Sequence, residues 1–113
     1  STQDLLWTLD TEGRVTYVNP AEAHFTGYSA GDYYARGSRL LLGAKDDDEL
    51  TEILATAFRK CRAGSSHTEE RLLPTKGGDP RWSLIRIAPL RDDHGAFIGL
   101  RCVATDTHRR HLA

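Results

Sequence analysis

The side chains of this 113-residue chain that could do chemistry are two cysteines, five histidines and a scatter of carboxylates. Neither Cys61 nor Cys102 sits in a metal-type spacing such as CxxC. Two such thiols in apolar surroundings read as reduced, buried side chains of a cytosolic protein rather than as a disulfide. His24, beside Phe25, reads as a structural or surface residue rather than a haem ligand. Asp46, Asp47 and Asp48 begin a helical pattern, where consecutive side chains point apart, so they read as a solvated cap and not as a metal cluster. Asp92, Asp93 and His94 fall in a turn and are expected to be exposed. Glu69 and Glu70 are the strand carboxylates that a small isomerase-like α+β enzyme would need, and one of an adjacent pair must point outward. His108 and His111 share a helix face at i, i+3, but Arg109 and Arg110 between them make a solvated linker the simpler reading. Gly-rich phosphate loops, G-x-S-x-G elbows and H-E-x-x-H pairs are missing. The chain is therefore expected to be no enzyme and to hold no metal.

The elements that must position these residues fill one small domain. A net charge of −1 gives no basic field to attract nucleic acid or an anionic membrane surface. No apolar run approaches the roughly 20 residues that span a bilayer, and no signal-peptide pattern opens the chain. The first residue is not Met and the last ones read as an unfinished helix, so residues 1–113 are expected to be a single domain excised from a larger protein. A cytoplasmic location is expected, with no nucleic acid and no direct membrane contact.

The densest local signal runs from Asp10 to Ser29. Asp10, Thr11, Glu12 and Gly13 have the form of a hairpin loop between a strand at Leu5–Leu9 and one at Val15–Val18. In that pair Trp7 and Leu9 share one face and Leu6 and Thr8 the other, with Trp7 a core or interface filler. Asn19, Pro20 and Glu22 form a helix-start signature for a short helix over 21–26. Gly27 stops it, and Ser29 caps another with Asp32 three residues on. The stretch holding Tyr33, Tyr34 and Leu40–Leu42, broken by Gly31, Gly37 and Gly43, reads as short helical turns. Residues 46–63 form the clearest helix. Its apolar stripe is Leu50, Ile53, Leu54, Ala57, Phe58 and Cys61, with acids at the N-terminal end and Arg59, Lys60 and Arg62 at the other. Three strands follow, over 67–73, 81–90 and 97–105. In the second, Trp82 and Leu84 lie on one face and Ile85 and Ile87 on the other. Gly99 marks a place where a neighbouring backbone comes close. Asp106 is expected to cap a polar helix over 106–113. The order gives an α+β fold, with antiparallel hairpins and helices gathered on one face.

Four motifs in this order resemble the PAS family. Asp10, Gly13, Val15, Tyr17, Asn19 and Ala21 follow its "D-x-x-G-x-[IV]-x-[YF]-x-N-x-A" pattern and lead into Thr26, Gly27, Tyr28 and Ser29. The turn ending at Trp82 is similar to "K-D-G-x-x-x-W", and Pro89, Asp92, Gly95 and Gly99 to "P-x-x-D-x-x-G-x-x-x-G". Asp106 and Thr107 resemble the start of the "D-I-T" motif that joins such domains to an output helix, with His108 where Thr is usual. The resemblance implies a five-stranded antiparallel sheet with short helices and one longer helix packed on one face. It implies a sensory module, in many members binding a small molecule between sheet and helices, and in many paired as a homodimer.

Applied to this spacing, the family geometry nominates Tyr17, Phe25, Leu41, Leu54, Phe58, Trp82 and Leu84 as pocket residues, with Trp82 opposite Leu54 and Phe58. It nominates Asp106 and Thr107 as the relay into an output domain of the same chain: a histidine kinase, a cyclic-dinucleotide enzyme or a regulator. The same large side chains could fill the space themselves, which leaves a ligand-free interaction and dimerisation module as the second reading. A covalent flavin adduct of the LOV type needs a Cys that Gly37–Ala44 lacks. A photoactive-yellow-protein chromophore needs a Cys that neither Cys61 nor Cys102 supplies. Haem is disfavoured because the long helix has no His, and His67 lies just beyond it. Non-covalent flavin, stacked on Trp7, Trp82, Tyr17 or Phe25, is the weaker third reading.

Overall fold

The computed structural model describes residues 4–19 and 25–113. Its elements are β1 (Leu5–Leu9), β2 (Val15–Val18), α1 (Ala30–Arg36), α2 (Ser38–Leu41), α3 (Asp47–Arg62), β3 (His67–Leu73), β4 (Arg81–Arg91), β5 (Phe97–Asp106) and α4 (His108–Leu112). The strands form one antiparallel sheet in the order β2-β1-β5-β4-β3, so the chain's first and last strands are neighbours at its centre. The helix expected over 21–26, with His24 and the Glu22 cap, falls on residues outside the described set, except that Phe25 and Thr26 form a turn.

Two Asp-x-x-Gly turns close the hairpins at one end of the sheet, and they are built alike. Asp10 Oδ1 accepts the backbone N–H groups of Glu12 and Arg14, each at 2.9 Å. Asp92 Oδ1 accepts those of His94 and Ala96, also at 2.9 Å. The carboxylate thus does for the turn what backbone pairing does for a strand. The Asp10 carboxyl is held below its ordinary value, first by the Arg14 backbone N–H. Ser29 forms the expected capping box with Asp32 at the start of α1. Asp46 caps α3 by accepting from the Glu49 N–H at 2.9 Å, which confirms the cap reading of the acidic run.

Strand alternation divides the sheet into two faces. Leu5, Trp7 and Leu9 of β1, Ser83, Ile85 and Ile87 of β4, and Leu100, Cys102 and Ala104 of β5 are buried beneath the helices. Ile53, Ala57 and Cys61 of α3 and Leu41 of α2 complete that core. The opposite face carries Leu6, Thr8, Arg86, Arg101 and Val103. Gly99 sits where β5 turns away from β1, and a Cβ there would lie 1.9 Å from the Leu9 carbonyl oxygen. Only a glycine permits that approach.

Gly99→Ala is expected to cost about 3 kcal/mol, because backbone rather than a movable side chain would have to yield. Gly64→Ala, at a left-handed position with open space around it, is expected to cost only about 1 kcal/mol. Urea midpoints at unchanged slope measure both. Equal losses would show that the close approach is not the constraint.

Candidate functional site

Two places gather polar and aromatic groups: the space between α3 and the buried sheet face, and the C-terminal segment on the other face. In the first, α3 lies across the turn end of the sheet. Leu54 reaches Gly13, with its Cδ1 3.0 Å from where a Cβ on that glycine would stand. Ser38 Oγ donates to the Gly13 carbonyl at 2.5 Å, so α2 and α3 both fasten to the first Asp-x-x-Gly turn. Phe58 packs edge-on against Phe97, just beyond the second turn, with ring centroids 6.2 Å apart. The Arg62 guanidinium lies 4.5 Å from the Phe97 ring centre.

The other side of α3 meets the edge strand β3 through charge. Lys60 Nζ donates to His67 Nδ1 at 3.1 Å, and the opposite ring nitrogen of His67 donates to Glu69 Oε2 at 2.6 Å. Arg71 Nη2 donates to Glu49 Oε1 at 2.6 Å and to the Gly43 carbonyl at 3.1 Å, while its Nε donates to the Leu42 carbonyl. Glu69 is the inward member of the Glu69–Glu70 pair, but His67 and Arg71 already engage it. The chain of contacts therefore ties β3 to α3 and to the α2–α3 connection. It does not present a free acid or base to a substrate.

Among the pocket residues expected from the sequence, Leu41 is fully buried and Phe25, Leu54 and Phe58 are partly buried against the same core. Tyr17, Trp82 and Leu84 do not join them. Leu84 alternates with the buried Ser83 and Ile85, and Tyr17 pairs with Thr8, so these side chains belong to the outer face. Trp82 therefore does not stand opposite Leu54 and Phe58, and its ring stacks on His111 instead. Periodicity had separated Trp82 and Leu84 from Ile85 and Ile87 but not told which pair faced the helices. Within the core, Thr26 Oγ1 and Tyr33 Oη lie 2.5 Å apart, and burial pushes the Tyr33 hydroxyl up to about 12. Burial likewise raises the Cys61 and Cys102 thiols, which leaves both poor nucleophiles. Among the described residues no group of three or more His, Cys, Asp or Glu side chains converges as a metal site.

The C-terminal segment is solvated as expected, with no buried residue in α4, but His108 and His111 both make contacts that the sequence did not suggest. Trp82 N–H donates to His108 Nδ1 at 3.1 Å, and Thr107 N–H donates to the Trp82 carbonyl at 3.0 Å. His111 Nδ1 lies 2.6 Å from Glu70 Oε1. Asp106 pairs with Arg81 at 3.1 Å and also accepts the His108 backbone N–H at 3.1 Å. The N-cap position of α4 belongs to Thr107, with no side-chain cap bond, rather than to Asp106. No sequence period links Glu70, Trp82 and His111, because the contact joins three separate elements.

An antiparallel sheet covered on its buried face by α2 and α3, with the exit segment fastened to β4, is the architecture that holds both places. The chain belongs to the PAS fold family, whose pattern matches residues 1–112. It is 30% identical over 94 residues to Phototropin-1A of Oryza sativa, an alignment that covers 77% of this chain and 9% of that protein. It is 28% identical over 81 residues to a blue-light-activated histidine kinase of Brucella anthropi, covering 72% of this chain and 16% of that protein. The chain thus spans a small fraction of the length of these relatives. A similar solved structure is the N-terminal domain of a diguanylate cyclase with PAS/PAC sensor from Marinobacter aquaeolei. The TM-score is 0.69 at 16% identity, and the match covers 96% of this chain and 98% of that one. A PAS domain from Colwellia psychrerythraea matches with a TM-score of 0.73 at 20% identity, over 95% of this chain and 88% of that one. These likenesses establish the five-stranded PAS architecture. No helix among the described residues is long and apolar enough to cross a membrane.

The Arg71 tie makes a pH prediction. The Glu49 carboxyl is held below its ordinary value of 4.5, first by the Lys45 backbone N–H and then by Arg71. A carboxyl lowered in the folded state contributes stability fully above the unfolded value, and loses it as pH falls through the folded one. Glu49→Gln is expected to lower stability at pH 7 and to flatten the loss seen on acidification below about 4.5. Urea unfolding at neutral and acid pH tests this. Parallel pH curves for the two proteins would refute it.

Proposed function

We propose that this chain is the input module of a larger signalling protein. It senses a small molecule or partner between its helices and sheet, and passes the change to an output domain in the same polypeptide. One observation carries the reading: the exit segment is fastened to the sheet itself, through the Thr107 N–H on the Trp82 carbonyl and through Asp106 on Arg81. A shift of α3 against β4 and β5 then reaches the terminus through Asp106 and Thr107, without any flexible step between. Phe25, Leu41, Leu54 and Phe58 are the residues nominated to meet the ligand. Tyr17, Trp82 and Leu84 face the other way and belong to the relay side. The similarity to a histidine kinase and to a diguanylate cyclase sensor supports a kinase, a cyclic-dinucleotide enzyme or a comparable regulator as the output. A bacterial-type, cytoplasmic, homodimeric protein fits the same reading, and the domain itself does no catalysis.

A second reading, a ligand-free dimerisation module, draws on the outer face. Tyr17 and Leu72 are 44% and 42% exposed there, beside Leu6, Leu84 and Val103. Non-covalent flavin is the third, supported by similarity to light-responsive proteins. The buried positions of Cys61 and Cys102 and the lack of a Cys in Gly37–Ala44 argue against a covalent adduct.

The test is an absorption spectrum of freshly purified protein, mass spectrometry of anything released on denaturation, and sedimentation at several concentrations. The first reading expects a colourless small molecule to be released. A yellow protein would favour the flavin reading. An empty protein that forms a tight dimer would overturn ligand sensing in favour of the second.

A further inference from the structure

We propose that Glu69, His67 and Lys60 form an activated-amine triad, and that Lys60 is a site of covalent modification by small acyl phosphates. This goes beyond the sensory reading and does not rest on it.

Three side chains line up between the edge strand β3 and the last turn of α3. Lys60 Nζ lies 3.1 Å from His67 Nδ1, and His67 Nε2 lies 2.6 Å from Glu69 Oε2. A carboxylate only accepts, so the proton of the neutral ring sits on Nε2 and the Nδ1 lone pair is left facing the lysine. The order is carboxylate, imidazole, nucleophile. The first group orients the base, and the base faces the atom it deprotonates.

The surrounding fold holds this geometry. His67 is 8% exposed, and its backbone is fixed opposite Ile87 of β4. Glu69 lies two residues along the strand on the same face. Its other oxygen is 3.8 Å from Arg71 Nη1, which leaves Oε2 turned to the ring. Lys60 immediately precedes the fully buried Cys61, so the core sets its place on α3. Arg59 and Arg62 share that last turn of helix and supply the positive field that draws an anionic donor.

The reaction is stoichiometric. His67 Nδ1 takes one proton from the Lys60 ammonium, and Glu69 stabilises the imidazolium so formed. The Nζ lone pair adds to the carbonyl carbon of the acyl phosphate. The carbon–oxygen bond to phosphate breaks, and inorganic phosphate departs with the second proton. An amide remains on Lys60, and His67 returns its proton to water. The imidazole thus serves this chain's own amine and no separate substrate. The product lacks the lysine's charge, so the contacts of Arg71 with Glu49 are left to carry the charged tie between α3 and β3.

The chain's other two lysines, Lys45 and Lys76, are the control, because both are exposed whereas Lys60 is partly buried. Access alone ranks Lys60 last, and the triad ranks it first. The 113-residue chain is incubated with acetyl phosphate in mildly alkaline buffer, and acetylation of each lysine is followed by peptide mass spectrometry. Lys60 is expected to react at least about tenfold faster than either exposed lysine. His67→Asn keeps an acceptor beside Lys60 but no basic nitrogen, and is expected to abolish the lead while Lys45 and Lys76 react as before. Glu69→Gln is expected to cut the lead several-fold. Nitrogen NMR shifts of the His67 ring are expected to show Nε2 protonated and Nδ1 bare in the parent. Glu69→Gln is expected to weaken that preference, which a merely structural Glu69 would not influence. Lys60 labelled no faster than Lys45 and Lys76 in the parent, a ring in the opposite tautomer, or a lead that survives His67→Asn would each overturn the triad. The first two measurements need no variant, so they decide even where a substitution unfolds the chain. No ligand or output domain enters them, so the triad can fail while the sensory reading stands.

Discussion

The close approach of the Leu9 and Gly99 backbones is the constraint on which the rest of this domain depends. It lets β5 leave β1 at the turn end of the sheet without splitting the pair, and β1–β5 is the seam that joins the first strand to the last. Because the seam is central, β2 and the β4–β3 hairpin are placed to either side of it, and the buried face becomes continuous from Val18 to Ile87. The two Asp-x-x-Gly turns flank the same seam. α3 covers them with Leu54 and Phe58, so one helix registers both hairpins at once.

The two sides of α3 are built differently. Towards the turns it uses packing, through Leu54 and Phe58. Towards β3 it uses charge, through Glu49 and Lys60 on Arg71 and His67. A ligand or partner entering beneath α3 would therefore press on a soft, apolar contact at one side and on a directional, hydrogen-bonded one at the other.

The outer face also carries the exit segment. Trp82 sits at the junction of both faces' business: its strand neighbours Ser83 and Ile85 are core residues, while its own ring and backbone hold α4. β4 thus contributes both to the core and to the attachment of the exit segment.

Much of the fold was legible from residue types alone. Five strands, the long helix with its Asp46 cap, the Ser29–Asp32 capping box and the special position of Gly99 all follow from local rules, because capping, turn closure and alternation act within a few residues. The residues of the candidate site were only half legible. Alternation shows that Trp82 and Leu84 share a face, and that only one of Glu69 and Glu70 can point inward, but period two is symmetric and does not say which face the helices cover. That choice was made by where α3 docks, which put Ser83, Ile85 and Ile87 inside and sent Tyr17, Trp82 and Leu84 out. His108 and His111 read as solvated for the same reason. Their partners, Trp82 and Glu70, lie on other strands, and only the folded register of β3, β4 and the exit segment brings them within reach.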